Sequence, residues 1–121
     1  MTSEKTDKKT LGVTQPNLRV LQALSTEGRF ATDIDAAKFA MAHAIAEGVG
    51  RGTAEGAGTV WHVGSFDSDG SLKAMIEALY PDELYPYRLV EHLINEGLRL
   101  MDAGEALPPD VAGLVRAAAE T

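Results

Sequence analysis

The stretch YPYRLVEHLINEGLRLMD, residues 85–102, is the most strongly patterned part of the chain. Pro86 suits the first turn of a helix, where its missing N–H is not needed. Leu89, Val90, Leu93, Ile94, Leu100 and Met101 then cover an arc of roughly 140° at helical periodicity. This predicts a helix from Tyr85-Pro86 to about Asp102. Gly97 lies near the middle of the apolar arc. A glycine inside a helix costs about 1 kcal/mol relative to alanine, so Gly97 predicts another backbone or a bulky side chain packed closely against it.

A second helix is expected upstream, with Thr32 as N-cap and Asp35 three residues on in a capping-box arrangement, ending near Glu47. Ile34, Ala37, Ala40, Met41, Ala44 and Ile45 share one face; Phe39, Ala42 and Ala46 form another. A helix apolar on nearly all sides is either buried or shared between two chains. Pro16 opens an earlier helix carrying Leu18, Val20, Leu21 and Leu24, and Gly28 closes it. Before it, Thr10–Thr14 alternates as a short strand should, with Leu11 and Val13 on one side. Residues 1–9 read as a flexible tail, and residues 10–121 as one domain.

Between the two long helices, Gly48–Gly58 holds five glycines in eleven residues and reads as a loop. Thr59–Val63 (TVWHV) is rich in β-branched and aromatic residues and predicts a second strand. After a turn at Asp67–Gly70, Leu72, Met75, Ile76 and Leu79 outline a short amphipathic helix stopped by Pro81. A last helix is expected from Pro108-Pro109, with Val111, Leu114 and Val115 inward. The fold class is therefore mainly α with two short β-strands, in the order strand, two helices, strand, three helices. Unpaired strands leave backbone groups without partners. The two strands must bond to each other, or each to its copy in a dimer.

Composition narrows the chemistry. With 45% hydrophobic but only 6% aromatic residues, aliphatic side chains must build the core. The absence of cysteine removes disulfides, thiol nucleophiles and Cys-based metal sites, and fits a reducing compartment. No apolar run approaches the length needed to cross a bilayer, so a soluble cytoplasmic protein without a membrane partner is expected. The net charge of −7 is uneven. Residues 1–51 carry seven Lys/Arg against six Asp/Glu, and residues 52–121 four against twelve. An acidic surface repels phosphate backbones, so it disfavours DNA and favours a second protein as the partner of the C-terminal part.

No residue set announces catalysis or cofactor binding. The glycine segment around Arg51 follows a helix and precedes a strand, the reverse of a phosphate loop. Asp67-x-Asp69-Gly70 lacks the later ligands of a calcium loop and suits an Asx turn. His43, His62 and His92 sit on three elements without the close spacing of metal ligands. His43 and His92 are expected on polar helix faces, and His62 beside Val60 near the core. No serine lies in a nucleophile elbow, and Glu91 and His92 point about 100° apart on a helix. The expectation is a non-enzymatic protein without metal or cofactor.

Two resemblances add context. The order of strand Thr10–Thr14, helix from Pro16, Gly28 connection and helix from Thr32 resembles a ribbon-helix-helix unit. In that family the strand pairs with its dimer mate and enters the major groove, while the second helix grips phosphate. By that resemblance Lys9, Thr10, Gly12 and Thr14 are candidate DNA contacts and Thr32 a candidate phosphate contact. Asp33 and Asp35 depart from the pattern, because they favour the helix dipole but repel phosphate.

From about Phe30 to Arg116 the chain resembles the small accessory proteins of bacterial DNA phosphorothioation gene clusters. The likeness rests on Phe30-Ala31-Thr32-x-x-Asp35-x-x-x-Phe39-Ala40, Asp69-Gly70-x-Leu72 and Glu91-x-x-x-Asn95-Glu96-Gly97-Leu98. It implies a setting in DNA modification or anti-phage defence. Together these features suggest a homo-oligomeric adaptor, associating through Leu11, Val13, Phe39 and Gly97. The alternative is a dimeric DNA-binding regulator.

Overall fold

The computed structural model describes residues 7–28 and 30–102. The helix expected after Pro108-Pro109 lies outside these residues, as do residues 1–6. The elements are β1 (Thr10–Val13), α1 (Gln15–Thr26), α2 (Asp33–Ala46), β2 (Gly58–His62), α3 (Val63–Phe66), α4 (Ser71–Leu79) and α5 (Pro86–Asp102). The described residues are mainly helical with two short strands, as the sequence pattern requires. The one-turn helix α3 carries no helical period of its own in the sequence.

Helix α5 is the hub. It is buried on more sides than its aliphatic arc predicts, because Glu91, Asn95 and Leu98 are covered as well. Leu89, Leu93, Ile94 and Leu98 are fully buried, each contributing roughly 1.5–3 kcal/mol of transfer free energy. Helix α2 crosses α5 through small residues. Ala36, Ala37, Ala40 and Ala44 have no exposed surface, and a Cβ on Gly97 would overlap the backbone carbonyl of Ala40. The glycine thus marks a backbone-to-backbone approach within one chain. Thr32 caps α2 by accepting the Asp35 N–H at 3.1 Å. The all-round apolar character of α2 also has an internal explanation. Ala42 and Ala46 face solvent as small residues, and Phe39 is half-buried with its ring 5.3 Å from that of Phe30.

The strands bond to each other. β1 and β2 are antiparallel, with Leu11 opposite Trp61 and Gly12 opposite Thr59, so Val60 is the extra residue of a bulge. The bulge buries Trp61 against Phe66, with ring centroids 5.0 Å apart, and leaves His62 exposed rather than beside the core. Gly12 is obligatory here, since a Cβ would lie 2.5 Å from the Gly58 carbonyl oxygen.

The other edge of β1 is closed by side chains of α5. Glu91 Oε2 accepts the Gly12 N–H at 2.8 Å, and Asn95 Nδ2 donates to the Gly12 carbonyl at 3.1 Å. Asn95 Oδ1 accepts the Thr14 N–H at 2.9 Å and Asn17 Nδ2 at 3.1 Å. A ribbon-helix-helix dimer needs that edge for its mate, so β1 departs from that arrangement. Asp7–Lys9, assigned to a tail from sequence, are tied into the fold. Asp7 accepts the N–H groups of Tyr87 and Arg88 at 2.7 and 3.1 Å, capping α5, and the Lys9 carbonyl accepts the Val63 N–H.

Candidate functional site

The candidate DNA contacts fall in unequal surroundings. Lys9 is exposed and Thr10 half-buried, its hydroxyl 3.3 Å from that of Thr59. Gly12 is buried with both backbone groups bonded, and the Thr14 N–H is engaged by Asn95. Thr32 is exposed, but its side chain is occupied as a cap. Gly12 therefore has no face to offer a ligand. The self-association set requires a similar correction. Leu11, Val13 and Gly97 are buried inside one chain, and Phe39 packs on Phe30. The apolar surface of Leu11 and Val13 is consumed by the fold, and Phe39 keeps only part of its ring exposed.

Two buried polar clusters serve the architecture. Glu91 is only 4% exposed, and burial pushes its carboxyl above the ordinary range. The Gly12 N–H and Lys8, whose Nζ is 3.5 Å away, oppose that shift. Closed off in this way, the carboxylate has no room for a substrate. In the second cluster, Asp67 accepts the N–H groups of Leu72 and Lys73 at 2.9 and 3.0 Å, capping α4, and the Tyr87 hydroxyl at 2.7 Å. Burial and the Asp67 carboxylate push the Tyr87 phenol up to about 12. Asp69 completes the turn by accepting from Ser71 N and Oγ, and those bonds lower its carboxyl. Both aspartates of the Asp67–Gly70 segment thus bind backbone, as an Asx-type turn into a helix should.

The histidines depart from their expected surroundings. His43 is half-buried and its Nε2 is covered without a partner. His92 is half-buried against Gly52, where an added Cβ would lie 2.6 Å from the imidazole Cε1. Among the described residues no group of three or more His, Asp or Glu side chains converges on a metal position. No helix among them is long and apolar enough to cross a membrane.

What stands open is the outer side of α4 and the turn after it. The large hydrophobic side chains with most exposure among the described residues are Met75 at 38%, Leu79 at 51% and Leu84 at 78%. The helix buries Leu72 and Ile76 and turns Met75 and Leu79, an i,i+4 pair, outward. The sequence places all four on one amphipathic helix; a nine-residue helix packed along a single line can cover only two of them. A Glu83 N–H to Tyr80 carbonyl bond of 3.0 Å folds the chain back after the helix, just before Leu84. Exposed Asp69, Glu77 and Asp82 flank these residues along the chain, with Lys73 as the counter-charge. Three shallow clefts also mark the surface. One of about 500 Å³ lies beside Val20, Leu24 and Met101, one of about 470 Å³ beside Leu21, Thr32 and Val60, and one of about 340 Å³ beside Arg51 and Arg88. Comparison with protein-family models, with curated proteins and with solved structures finds no match.

Proposed function

We propose that this chain is a non-enzymatic interaction module that docks a second protein through Met75, Leu79 and Leu84. The observation that carries this reading is an outward i,i+4 apolar pair on α4, followed by a leucine 78% exposed, whereas the other large hydrophobic side chains among the described residues are buried or half-buried. Leaving such side chains in water forgoes burial free energy that a partner recovers. The neighbouring Asp69, Glu77 and Asp82 select the partner's chemistry: a basic segment carrying two or three aliphatic anchors. A partner with an acidic rim meets like charge. The occupied edges of β1 weigh against the ribbon-dimer regulator. The setting inferred for the module is bacterial DNA modification or anti-phage defence, and it rests on the resemblance of residues 30–116 alone.

The test is a photo-crosslinking residue placed at Leu84 in the native host, with a control at Ala42 on α2. Expected is one adduct from the Leu84 position, with a Lys/Arg-rich segment at the crosslink, weakened by salt and abolished by Leu79→Ser. Crosslinks only to a second copy of the chain, with light scattering giving a stable dimer, would replace the basic partner by self-association. Equal adducts from both positions would remove the surface altogether.

A further inference from the structure

The cleft between the glycine segment and the start of α5 brings together two arginines, Arg51 and Arg88, beside Asp82 and Glu83. Residues 51–53 form one wall, and residues 82–85 with Arg88 the other, around about 340 Å³. Arg51 Nη1 donates to the Asp82 carbonyl at 3.0 Å, which orients the guanidinium, and no carboxylate of the described residues pairs with it. Arg88 lies over the Tyr85 ring at 4.5 Å. Its nearest carboxylate oxygen, Glu83 Oε2, is 3.8 Å away, well beyond the roughly 2.7–2.9 Å of a charge-assisted hydrogen bond. That oxygen instead accepts the Tyr85 N–H at 2.9 Å. Arg88 Nε is buried without a partner. One turn further along α5, His92 rests against Gly52, and the missing side chain of that glycine lets the loop lie on this part of the helix.

We propose that this cleft is a binding site for a phosphate-type oxyanion, held between the guanidinium groups of Arg51 and Arg88. Planar guanidinium forks match the paired oxygens of such an anion. Neither fork is spent on a bidentate carboxylate pair. The leading N–H groups of α5 take no part, since Asp7 already occupies those of Tyr87 and Arg88. The anion is therefore a side-chain ligand, unlike that of a phosphate loop. The cleft shares Leu84 with the proposed docking surface, but Met75 and Leu79 are not among its walls, so Leu79→Ser tests docking and Arg51→Lys tests the anion site separately.

The experiment is an NMR titration of the full chain with inorganic phosphate at constant ionic strength, with chloride as the control anion. It follows the guanidinium Nε–Hε signals and the amides of residues 51–53 and 85–92. Expected is saturable binding that Arg51→Lys weakens by about tenfold, the worth of a charged hydrogen bond, while Arg19→Lys leaves it unchanged. Arg51 is exposed on a loop, so the variant keeps its fold and its charge and loses only the fork. Parallel titrations with phosphoserine and with a phosphoserine peptide identify the source: equal affinities indicate a free small molecule, and tighter peptide binding a modified protein. Linear, unsaturable shifts, or saturation unchanged in Arg51→Lys, would overturn the site.

Discussion

The crossing of α2 with α5 and the outer side of α4 are both apolar helical surfaces, and they have opposite fates. At the crossing, Ala36, Ala37, Ala40, Ala44 and Gly97 bring two backbones into contact and leave no exposed surface on the alanines. On α4, Met75 and Leu79 are long, flexible side chains that reach past the core into water. Small residues close a surface because nothing protrudes for a partner to grip. Long aliphatic residues with nothing opposite them leave it open. Hydrophobicity alone does not separate the two; side-chain length and position on the helix do.

The sharpest way to break the comparison is to put a side chain where the backbones meet. Gly97→Val forces the α2–α5 crossing apart and should cost about 3 kcal/mol or more, the upper range for overpacking, read as a lower urea midpoint. A loss below about 1 kcal/mol would mean that the helices do not approach as described. Asn95→Ala strands the Thr14 N–H and the Gly12 carbonyl and leaves the Asn17 amide only its bond to the residue 95 carbonyl. It should cost about 2–3 kcal/mol, with early loss of amide-exchange protection in β1. Asp67→Ala uncaps α4 and frees the Tyr87 hydroxyl, for about 1–2 kcal/mol. Thermal unfolding measures it.

Glu91 changes the slope of stability with pH. Its folded carboxyl binds a proton more tightly than the unfolded one, whose ordinary value is 4.5. Its favourable contribution is therefore complete below that value and is lost as pH rises through the higher folded value. Glu91→Gln removes this dependence, so its stability relative to the parent should rise with pH above about 4.5; parallel profiles would refute the shift. The smallest effect is expected on the open side. Met75→Ser and Leu79→Ser should each change stability by no more than about 0.5 kcal/mol while removing partner capture.

Much of the helical frame was legible in the sequence because it is local. The Tyr85-Pro86 start, the Thr32 cap and the Gly97 anomaly each announce themselves within a turn or two. The closing of β1 was not legible. Its partners Glu91 and Asn95 lie about eighty residues away and read as polar residues on an amphipathic helix. Asp7 was hidden for the same reason: an acid in a Lys-rich start gives no sign of the helix it caps. The acidic bias of residues 52–121 is a property of composition and does not single out a face. The outward turn of Met75 and Leu79 depends on which line of α4 meets α5, and a nine-residue helix leaves that choice to tertiary packing.

The seal on the edge of β1 also bears on synthesis. Gly12 waits for groups made 79 and 83 residues later, so a nascent chain on the ribosome holds its first strand half-bonded until α5 has emerged. Closing so long a span carries an entropic toll that a bundle of neighbouring helices escapes. The emerging polypeptide should thus stay sensitive to protease until α5 is clear of the ribosome, then lock in a single step.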